Sequence, residues 1–337
     1  MKKSTAAGHI RFKKLLEPLE ILLTNAGASD NPAPFLYTNK ARDILFRLEA
    51  LCRIYRAIHN KKLFDEMNDD FKDLEDAMGS IDYYDAFEKE FLKVKTLPPA
   101  FINYFIEGRN KAQDQLNKIL LKKKWISESS KKIKEIELSL EKADWLESAE
   151  ERNAIGQFLV TQIDNFTSKY EKGKLHFNDI EKGIHEFRRK LRWFSIYAAS
   201  LDGLIQLKSA GTADEDLKKY LSPEIINSPF NVLPEPTGDI HPFYIHDQLF
   251  YALSWTITET GKLKDEGLRN EVIHTASEFA GVPTIEVIDK LNIIGGEENE
   301  KSTEEICAQA EILADTFIYK DRVMEKIKRD LYRGLEN

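Results

Sequence analysis

Cysteine is scarce in this sequence, and long uncharged apolar runs are missing altogether. The two cysteines, Cys52 and Cys307, stand far apart within amphipathic patterns, which fits neither a disulfide framework nor a metal-binding motif. No uncharged apolar stretch reaches the ~20 residues of a membrane-spanning helix. Charged residues also interrupt the apolar residues near the N-terminus, which argues against the core of a signal peptide. We therefore expect a soluble, cytoplasmic protein that has no membrane partner.

Positive charge is also in short supply. Lysine and arginine together number 49, against 57 for aspartate and glutamate, which gives a net charge of −8. Such a chain repels nucleic acid at long range, so nucleic acid is not an expected partner and a site for any anion must be local. The 337 residues, 42% of them hydrophobic, are enough for one large domain or two medium ones.

Apolar residues recur with the helical period along nearly the whole chain, whereas the alternation typical of strands is scarce. The stretch Leu175–Phe177 is the one strand candidate. A stretch rich in proline and glycine, residues 222–242, predicts an extended surface loop that either has a function or simply connects helices. The pattern predicts an all-α protein with helices at residues 9–26, 38–60, 63–78, 82–95, 99–124, 126–143, 147–171, 178–207, 213–221, 243–261, 264–280, 284–292 and 302–334.

A row of arginines follows one face of the helix predicted for residues 38–60. With a rotation of about 100° per residue, Arg42, Arg53 and Arg56 fall on one stripe together with Glu49, opposite an apolar face. The planar guanidinium group matches phosphate oxygens with two parallel hydrogen bonds and stays charged at any physiological pH. We define these three arginines as the first arginine row, a candidate anion site.

A second cationic row occupies the helix predicted for residues 178–207. The same rotation places His185, Arg188, Arg189 and Arg192 on one face, opposite an apolar face. Shifting the sequence by 146 residues aligns Arg42 with Arg188, so the two rows have the same relation to their apolar faces. We define these four residues as the second arginine row.

Internal ion pairs are the competing interpretation of both rows. Amphipathic helices usually carry charged outer faces, and the acidic segment Asp65–Glu90 could pair with the first arginine row. The second row has a single acidic neighbour nearby in sequence, Glu186. Both interpretations remain open at this point.

The second arginine row resembles the C-terminal signature of the CHAD family, the conserved-histidine α-helical domain. His185, Arg188 and Arg192 stand at the spacing of that signature and are followed by aromatic and aliphatic residues. The first row is similar to the N-terminal signature of the family, with Arg42 and Arg47 in place. The resemblance covers residues 9–280, or the whole chain.

Four residues of the first half depart from the family pattern. Asn39 stands at the position of the family histidine, Phe46 and Glu49 replace basic residues, and Asp82 replaces an arginine in the stretch Gly79–Asp85. These substitutions remove positive charge, so the resemblance implies a weakened site in this half.

The resemblance implies two helical bundles, residues 1–171 and 172–337, related by a pseudo-twofold repeat around a central basic cavity. The two halves would form a single CHAD-like unit, with the residues after 280 as a C-terminal extension. It also implies non-catalytic binding of inorganic polyphosphate or a related phosphate-rich anion. The resemblance supplies four contacts, and the helical geometry of the rows adds three more, so the candidate ligand-binding residues are Arg42, Arg53, Arg56, His185, Arg188, Arg189 and Arg192.

Two alternatives belong to other functional classes. One is a helical protein-protein interaction scaffold with a degenerate anion site, whose arginines pair with its own carboxylates or with an acidic partner protein. The other is a phosphohydrolase, but the sequence contains no clustered ligands for a catalytic metal and no nucleophile paired with a base. We therefore expect no enzymatic activity, no catalytic residues, no cofactor and no metal.

Two further patterns favour structural roles. The segment HPFYIHD, with His241, His246 and Asp247 close to Asp239, has a histidine spacing that fits neither one helix face nor a zinc motif. The lysine-rich segment around Trp125 could contact nucleic acid or an acidic membrane, but a solvated helix-to-helix corner with the tryptophan packed inward is the favoured interpretation.

Overall fold

A computed structural model describes residues 6–126, 131–209, 211–212, 214–236, 241–295 and 301–336. The described chain is mostly helical, as the sequence pattern predicts, with one small sheet. None of its helices is both long and apolar enough to cross a membrane.

The α-helices of the described residues have the following bounds: α1 Ala7–Gly27, α2 Pro32–Thr38, α3 Ala41–Ile58, α4 Lys61–Phe91, α5 Pro99–Lys122, α6 Lys131–Glu141, α7 Ser148–Glu171, α8 Glu186–Ser200, α9 Pro223–Ile226, α10 Asp247–Ala280, α11 Thr284–Gly295, α12 Thr303–Asp315 and α13 Val323–Glu336. Single π-helical turns lie at Ile180–His185 and Thr316–Lys320, and 3₁₀ turns lie at Glu215–Tyr220 and Pro229–Asn231. The strands are β1 Ile205–Lys208 and β2 Phe243–His246.

The chain forms two compact units. Unit 1 consists of Met1–Arg56, Asn60–Trp145 and Arg269–Glu300, and unit 2 of Ala57–His59, Leu146–Leu268 and Lys301–Asn337. The boundary predicted between residues 171 and 172 lies inside unit 2, because α7 belongs with the C-terminal helices.

Unit 1 is built around aromatic side chains. Phe12 stacks on Phe64 with ring centroids 5.5 Å apart, and Tyr55 lies 5.6 Å from each of them. A second cluster around Phe91 and Phe101 includes residues of α10 and α11. Burying one such side chain contributes ~1.5–3 kcal/mol, so the first cluster, through Tyr55, stabilises α3, the helix that carries the first arginine row.

Unit 2 contains the parallel sheet, in which Ile205 pairs with Phe243 and Lys208 with His246. The sequence pattern missed both strands, since residues 201–207 and 243–246 were predicted to be helical. Helix α8 ends at Ser200 because Asp202 and Gly203 follow in the left-handed conformation, with φ of 51° and 89°. The predicted strand Leu175–Phe177 was also wrong, because this segment is a loop that buries Leu175 and Phe177.

Two predicted helix breaks were wrong for a common reason. Both α4 and α10 run without interruption through a glycine, Gly79 and Gly261 respectively, where the sequence suggested helix ends. An added Cβ would meet the Arg42 Nη2 atom at 2.6 Å and the Arg188 Nε atom at 2.8 Å, respectively. Glycine inside these helices is therefore a packing requirement and not a break.

The segment predicted as an extended loop at residues 222–242 has secondary structure of its own. It contains α9 and the 3₁₀ turn Pro229–Asn231, and it ends at the start of β2. Ser222 caps α9 by accepting a hydrogen bond from the Ile225 amide. Residues 237–240, including Asp239, lie outside the described residues.

Candidate functional site

The first arginine row faces the acidic helix α4 within unit 1. Arg42 donates from Nε to Glu75 Oε1 at 2.7 Å and from Nη1 to Asp82 Oδ2 at 2.9 Å. Arg56 lies 3.3 Å from Asp65 Oδ1 at the other end of the helix pair. The order of these contacts makes α3 and α4 antiparallel. The predicted internal ion pairs with the acidic segment are thus confirmed at Arg42 and Arg56.

The Arg42 guanidinium group is also enclosed by apolar contacts. It lies against Gly79, and its Cζ atom is 5.2 Å from the centre of the Phe46 ring. Glu75 is almost fully buried, and burial raises the pKa of its carboxyl group while Arg42 opposes that rise. Two carboxylates therefore already occupy the positions at which this arginine would bind an external anion.

The middle of the first row contains a buried carboxyl group. Glu49 is 1% exposed, its Oε1 atom has no hydrogen-bond partner among the described residues, and its Oε2 atom lies 3.8 Å from Arg53. Burial, followed by the nearby Glu75, raises the pKa of Glu49 to about 8, against the opposing effect of Arg53. Glu49 therefore keeps its proton at neutral pH and does not cancel the charge of Arg53.

The second arginine row faces α10 within unit 2. Arg188 donates from Nε to the backbone oxygen of Ile257 at 3.0 Å, and its guanidinium group lies against Gly261. It forms no ion pair with the described residues. Burial lowers the pKa of Arg188, and the charge of Asp265 opposes that effect. Partial burial of a cation without a carboxylate in contact is costly, which distinguishes Arg188 from a fully solvated surface charge.

The two rows share one local arrangement, in which a long helix presents a glycine to the leading arginine. We call Gly79 and Gly261 the seat glycines. In each unit the arginine Nε donates a hydrogen bond to the residue four positions before the seat glycine. In unit 1 the acceptor is the side chain of Glu75, and in unit 2 it is the backbone oxygen of Ile257. Three positions after the seat glycine, unit 1 has the acidic residue Asp82, whereas unit 2 has the basic residue Lys264. The carboxylates that close the first arginine row are therefore missing from the equivalent positions of the second.

His185 lies in a cationic environment at the start of the second row. Burial is the main cause that lowers the pKa of His185; Lys264, Arg189 and Arg188 lower it further, while Glu181 opposes them. Its Nδ1 atom is buried without a hydrogen-bond partner among the described residues. His185 is therefore neutral at neutral pH and can donate or accept a hydrogen bond without adding a charge.

Some charge of the second row is balanced locally. Glu186 binds Arg189 at 2.5 Å and Lys190 at 2.7 Å. The Lys264 ammonium group lies 2.5 Å from the exposed Asp265. Arg192 is half-buried one helical turn after Arg188. These pairs reduce the positive field but leave Arg188 itself without a carboxylate.

The segment HPFYIHD and the lysine-rich segment around Trp125 lie at the ends of helices and strands. His246 ends β2 and Asp247 begins α10, where its carboxylate accepts from the Gln248 amide at 2.7 Å. Among the described residues, no group of three or more potential ligands is placed to hold a metal ion. Trp125 is fully buried at the corner between α5 and α6, as the favoured interpretation predicted, and Lys123 there pairs with Asp70 at 3.0 Å.

Sequence reasoning missed the contribution of α10 to the second row. Neither Gly261 nor Lys264 was a candidate, because an isolated glycine in a helical pattern suggests a break. A usable signal was present, since both seat glycines lie in long amphipathic patterns and each has charged residues within the following turn.

Comparison of the chain with protein-family models, with curated proteins and with solved structures gave no match.

Proposed function

We propose that this protein is a non-catalytic, CHAD-like binding protein for inorganic polyphosphate or a related phosphate-rich anion, and that its principal anion contacts lie in the second arginine row. The observation that carries the proposal is Arg188, a partly buried guanidinium group on a glycine seat that has no carboxylate within ion-pair distance among the described residues. A bound phosphate oxygen would supply the missing negative charge.

The neighbours of Arg188 suit the same ligand. Arg192 follows on the same helix face, and Lys264 and Arg189 are close enough to lower the pKa of His185. Together they offer the fork-shaped and point-charge donors that phosphate groups accept. No nucleophile or general base is needed, because binding proceeds by charge neutralisation.

The proposal gives the first arginine row a smaller part. Arg42 and Arg56 are held by carboxylates, and Glu49, the acid beside Arg53, is protonated at neutral pH. We include in the proposal the pseudo-twofold arrangement of two bundles around a basic cavity that the family resemblance implies. The support for it is the shared arrangement of arginine and seat glycine in the two units.

The test is binding of long-chain polyphosphate to the full chain at low and at high salt, measured by isothermal titration calorimetry. We expect binding that weakens steeply as salt rises, because a polyanion releases counterions when its charges are neutralised. The double variant Arg188→Glu with Arg192→Glu should abolish it. A matched control is Lys142→Glu with Lys172→Glu, which makes the same change in net charge at exposed lysines outside both rows.

Two results would overturn the proposal: no binding of polyphosphate at low salt, or equal loss of binding in the double variant and in its control. Release of orthophosphate from polyphosphate by the purified protein would contradict the non-catalytic part alone.

One observation favours the interaction scaffold as a second candidate: Arg42 is hydrogen-bonded to the carboxylates of Glu75 and Asp82. An arginine row that is satisfied internally stabilises the fold and does not need a ligand. This candidate requires an acidic protein partner whose binding depends on Arg188 while polyphosphate fails to compete with it.

A further inference from the structure

A pocket of about 340 Å³ lies in unit 2, and no residue of either arginine row lines it. Its walls come from the end of α7, from the following loop, and from α12 with its π-helical turn. This volume is at the lower end of the ~300–1,000 Å³ that is usual for ligand pockets. It is therefore large enough for a small organic molecule.

Aromatic rings form one part of the wall. The Tyr170 ring centroid lies 5.5 Å from that of Tyr319, with the planes inclined at 54°, and 6.3 Å from that of Phe177, inclined at 70°. The rings of Tyr170 and Phe177 are both more than nine-tenths buried, so Tyr319 supplies the aromatic ring that a ligand cation can reach. Half of the Tyr319 side chain is exposed, so it remains accessible to a ligand.

Two carboxylates complete the wall on the side of α12. Glu311, Asp315 and Tyr319 follow one another at intervals of four residues, which places them on one face of the helix and of the π-helical turn that continues it. Tyr170 donates to Asp315 Oδ1 at 2.7 Å, which fixes that carboxylate in the pocket wall. The pocket therefore presents two negative charges beside its aromatic rings.

The negative charge of this wall is not neutralised by the described residues. Neither Glu311 nor Asp315 forms an ion pair with them; Lys301 and Lys328, for example, bind other carboxylates. Lys172 and Lys174 of the adjoining loop do not reach either carboxylate within ion-pair distance. The local field is negative enough that Asp315 and Glu311 both contribute to raising the pKa of Tyr170, after burial and the hydrogen bond to Asp315.

From these observations we infer that this pocket binds a small organic ammonium cation, held between the exposed ring of Tyr319 and the carboxylates of Glu311 and Asp315. The Tyr319 ring contacts the alkyl groups around the charged nitrogen, and the carboxylates supply the counter-charge. A free phosphate or nucleotide is excluded by the same charges.

The test uses the full chain and titrates it with choline, with tetramethylammonium, with putrescine and with the uncharged carbon analogue of choline. Binding of at least one cation is expected, with the uncharged analogue weaker by about tenfold or more. A preference for choline and tetramethylammonium would indicate a methylated ammonium group, whereas a preference for putrescine would indicate a diamine that spans both carboxylates. No binding of any cation, or equal binding of the uncharged analogue, would overturn the inference.

Variants separate the roles of the rings and the charges. Tyr319→Ala should weaken binding of the preferred cation by about tenfold, whereas Tyr319→Phe should retain it, because phenylalanine keeps the ring face. Glu311→Gln should weaken binding, and Glu304→Gln is its control, since it removes the same charge from the same helix outside the pocket. Circular dichroism of each variant checks that the fold is kept. Equal effects of Glu311→Gln and Glu304→Gln would reject the pocket as the site.

Discussion

The two arginine rows differ in what the facing helix offers to the leading arginine. In unit 1, α4 presents Glu75 and Asp82, so Arg42 is bound on two sides by carboxylates. In unit 2, α10 presents the Ile257 backbone oxygen and Lys264, so Arg188 is partly buried with no carboxylate of the described residues within ion-pair distance. The arrangement of arginine and seat glycine therefore stabilises the fold in unit 1, whereas in unit 2 it is suited to binding a ligand. The two units differ in this way because the residues one helical turn before and after the seat glycine are acidic in unit 1 and not in unit 2.

The largest expected effect is on stability. Arg42→Met leaves Glu75 buried without its cation, and we expect a loss of about 2–4 kcal/mol in the free energy of unfolding. Arg188→Met removes a desolvated charge and one hydrogen bond, so its cost should stay within about 1 kcal/mol. Urea unfolding of both variants measures the difference. Equal losses would mean that the two rows are not distinguished by their carboxylates.

The second effect is a pH dependence that belongs to unit 1. The folded state holds a proton on Glu49 up to about pH 8, whereas the unfolded chain releases it near the ordinary pKa of 4.5. The stability from the protonated form is therefore complete below the ordinary pKa and is lost as the pH rises through about 8. Glu49→Gln should remove that loss and gain at least about 1 kcal/mol over the wild type at high pH.

Urea unfolding at a series of pH values from acid to alkaline measures this effect. Glu150→Gln at an exposed position is the control, and its pH profile should follow that of the wild type. A parallel profile for Glu49→Gln would contradict the raised pKa.

The third prediction exchanges the charges that follow the seat glycines. Lys264→Asp introduces the acidic residue that unit 1 has at this position, and we expect about tenfold weaker polyphosphate binding at low salt. Asp82→Lys removes one of the carboxylates of Arg42 and should strengthen binding and steepen its salt dependence. Calorimetry at two salt concentrations measures both. Lys262→Asp is the control, because it makes the same charge change at an exposed position of α10.

If Lys264→Asp and Lys262→Asp weaken binding equally, net charge and not the local arrangement governs the affinity.

The smallest effect concerns the seats themselves. Gly261→Ala adds a Cβ that would lie 2.8 Å from the Arg188 Nε atom, so the guanidinium group must shift. We expect a two- to threefold loss of anion affinity, about 0.5 kcal/mol, and a change in stability below about 1 kcal/mol, because alanine favours the helix. Gly79→Ala should leave anion affinity unchanged. Affinity losses of equal size in the two variants would show that Arg42 also contacts the ligand.

Much of the fold could be predicted from the sequence, because helical periodicity is a local property. Helices α5 and α7 lie close to their predicted bounds, and the basic faces of α3 and α8 follow from simple rotation along the helix. The short parallel pair of β1 and β2 could not be predicted in this way. Its hydrogen bonds join segments far apart in sequence, and Ile205 continues the apolar helical pattern of α8 beyond the turn at Asp202 and Gly203.

The candidate site was predictable only on one side. The arginines and His185 were identified from α3 and α8, and the acidic segment Asp65–Glu90 was identified as a possible partner of the first row. The individual partners on α4, and α10 as a whole, depend on which helices pack together. Gly79 and Gly261 suggested helix breaks because the cost of glycine in a helix can be read from the sequence. The packing of an arginine against each glycine, which compensates for that cost, cannot be read from it.

The sequence by itself determined the helical class of this protein and the two rows of cationic side chains, since period and residue type suffice for both. Tertiary structure alone decided which cations meet a carboxylate. Helix α4 brings two acids to Arg42, and α10 brings a backbone oxygen and a lysine to the region of Arg188. The physical reason is that the cost of a buried charge depends on the groups within a few ångströms of it, and those groups come from distant parts of the chain.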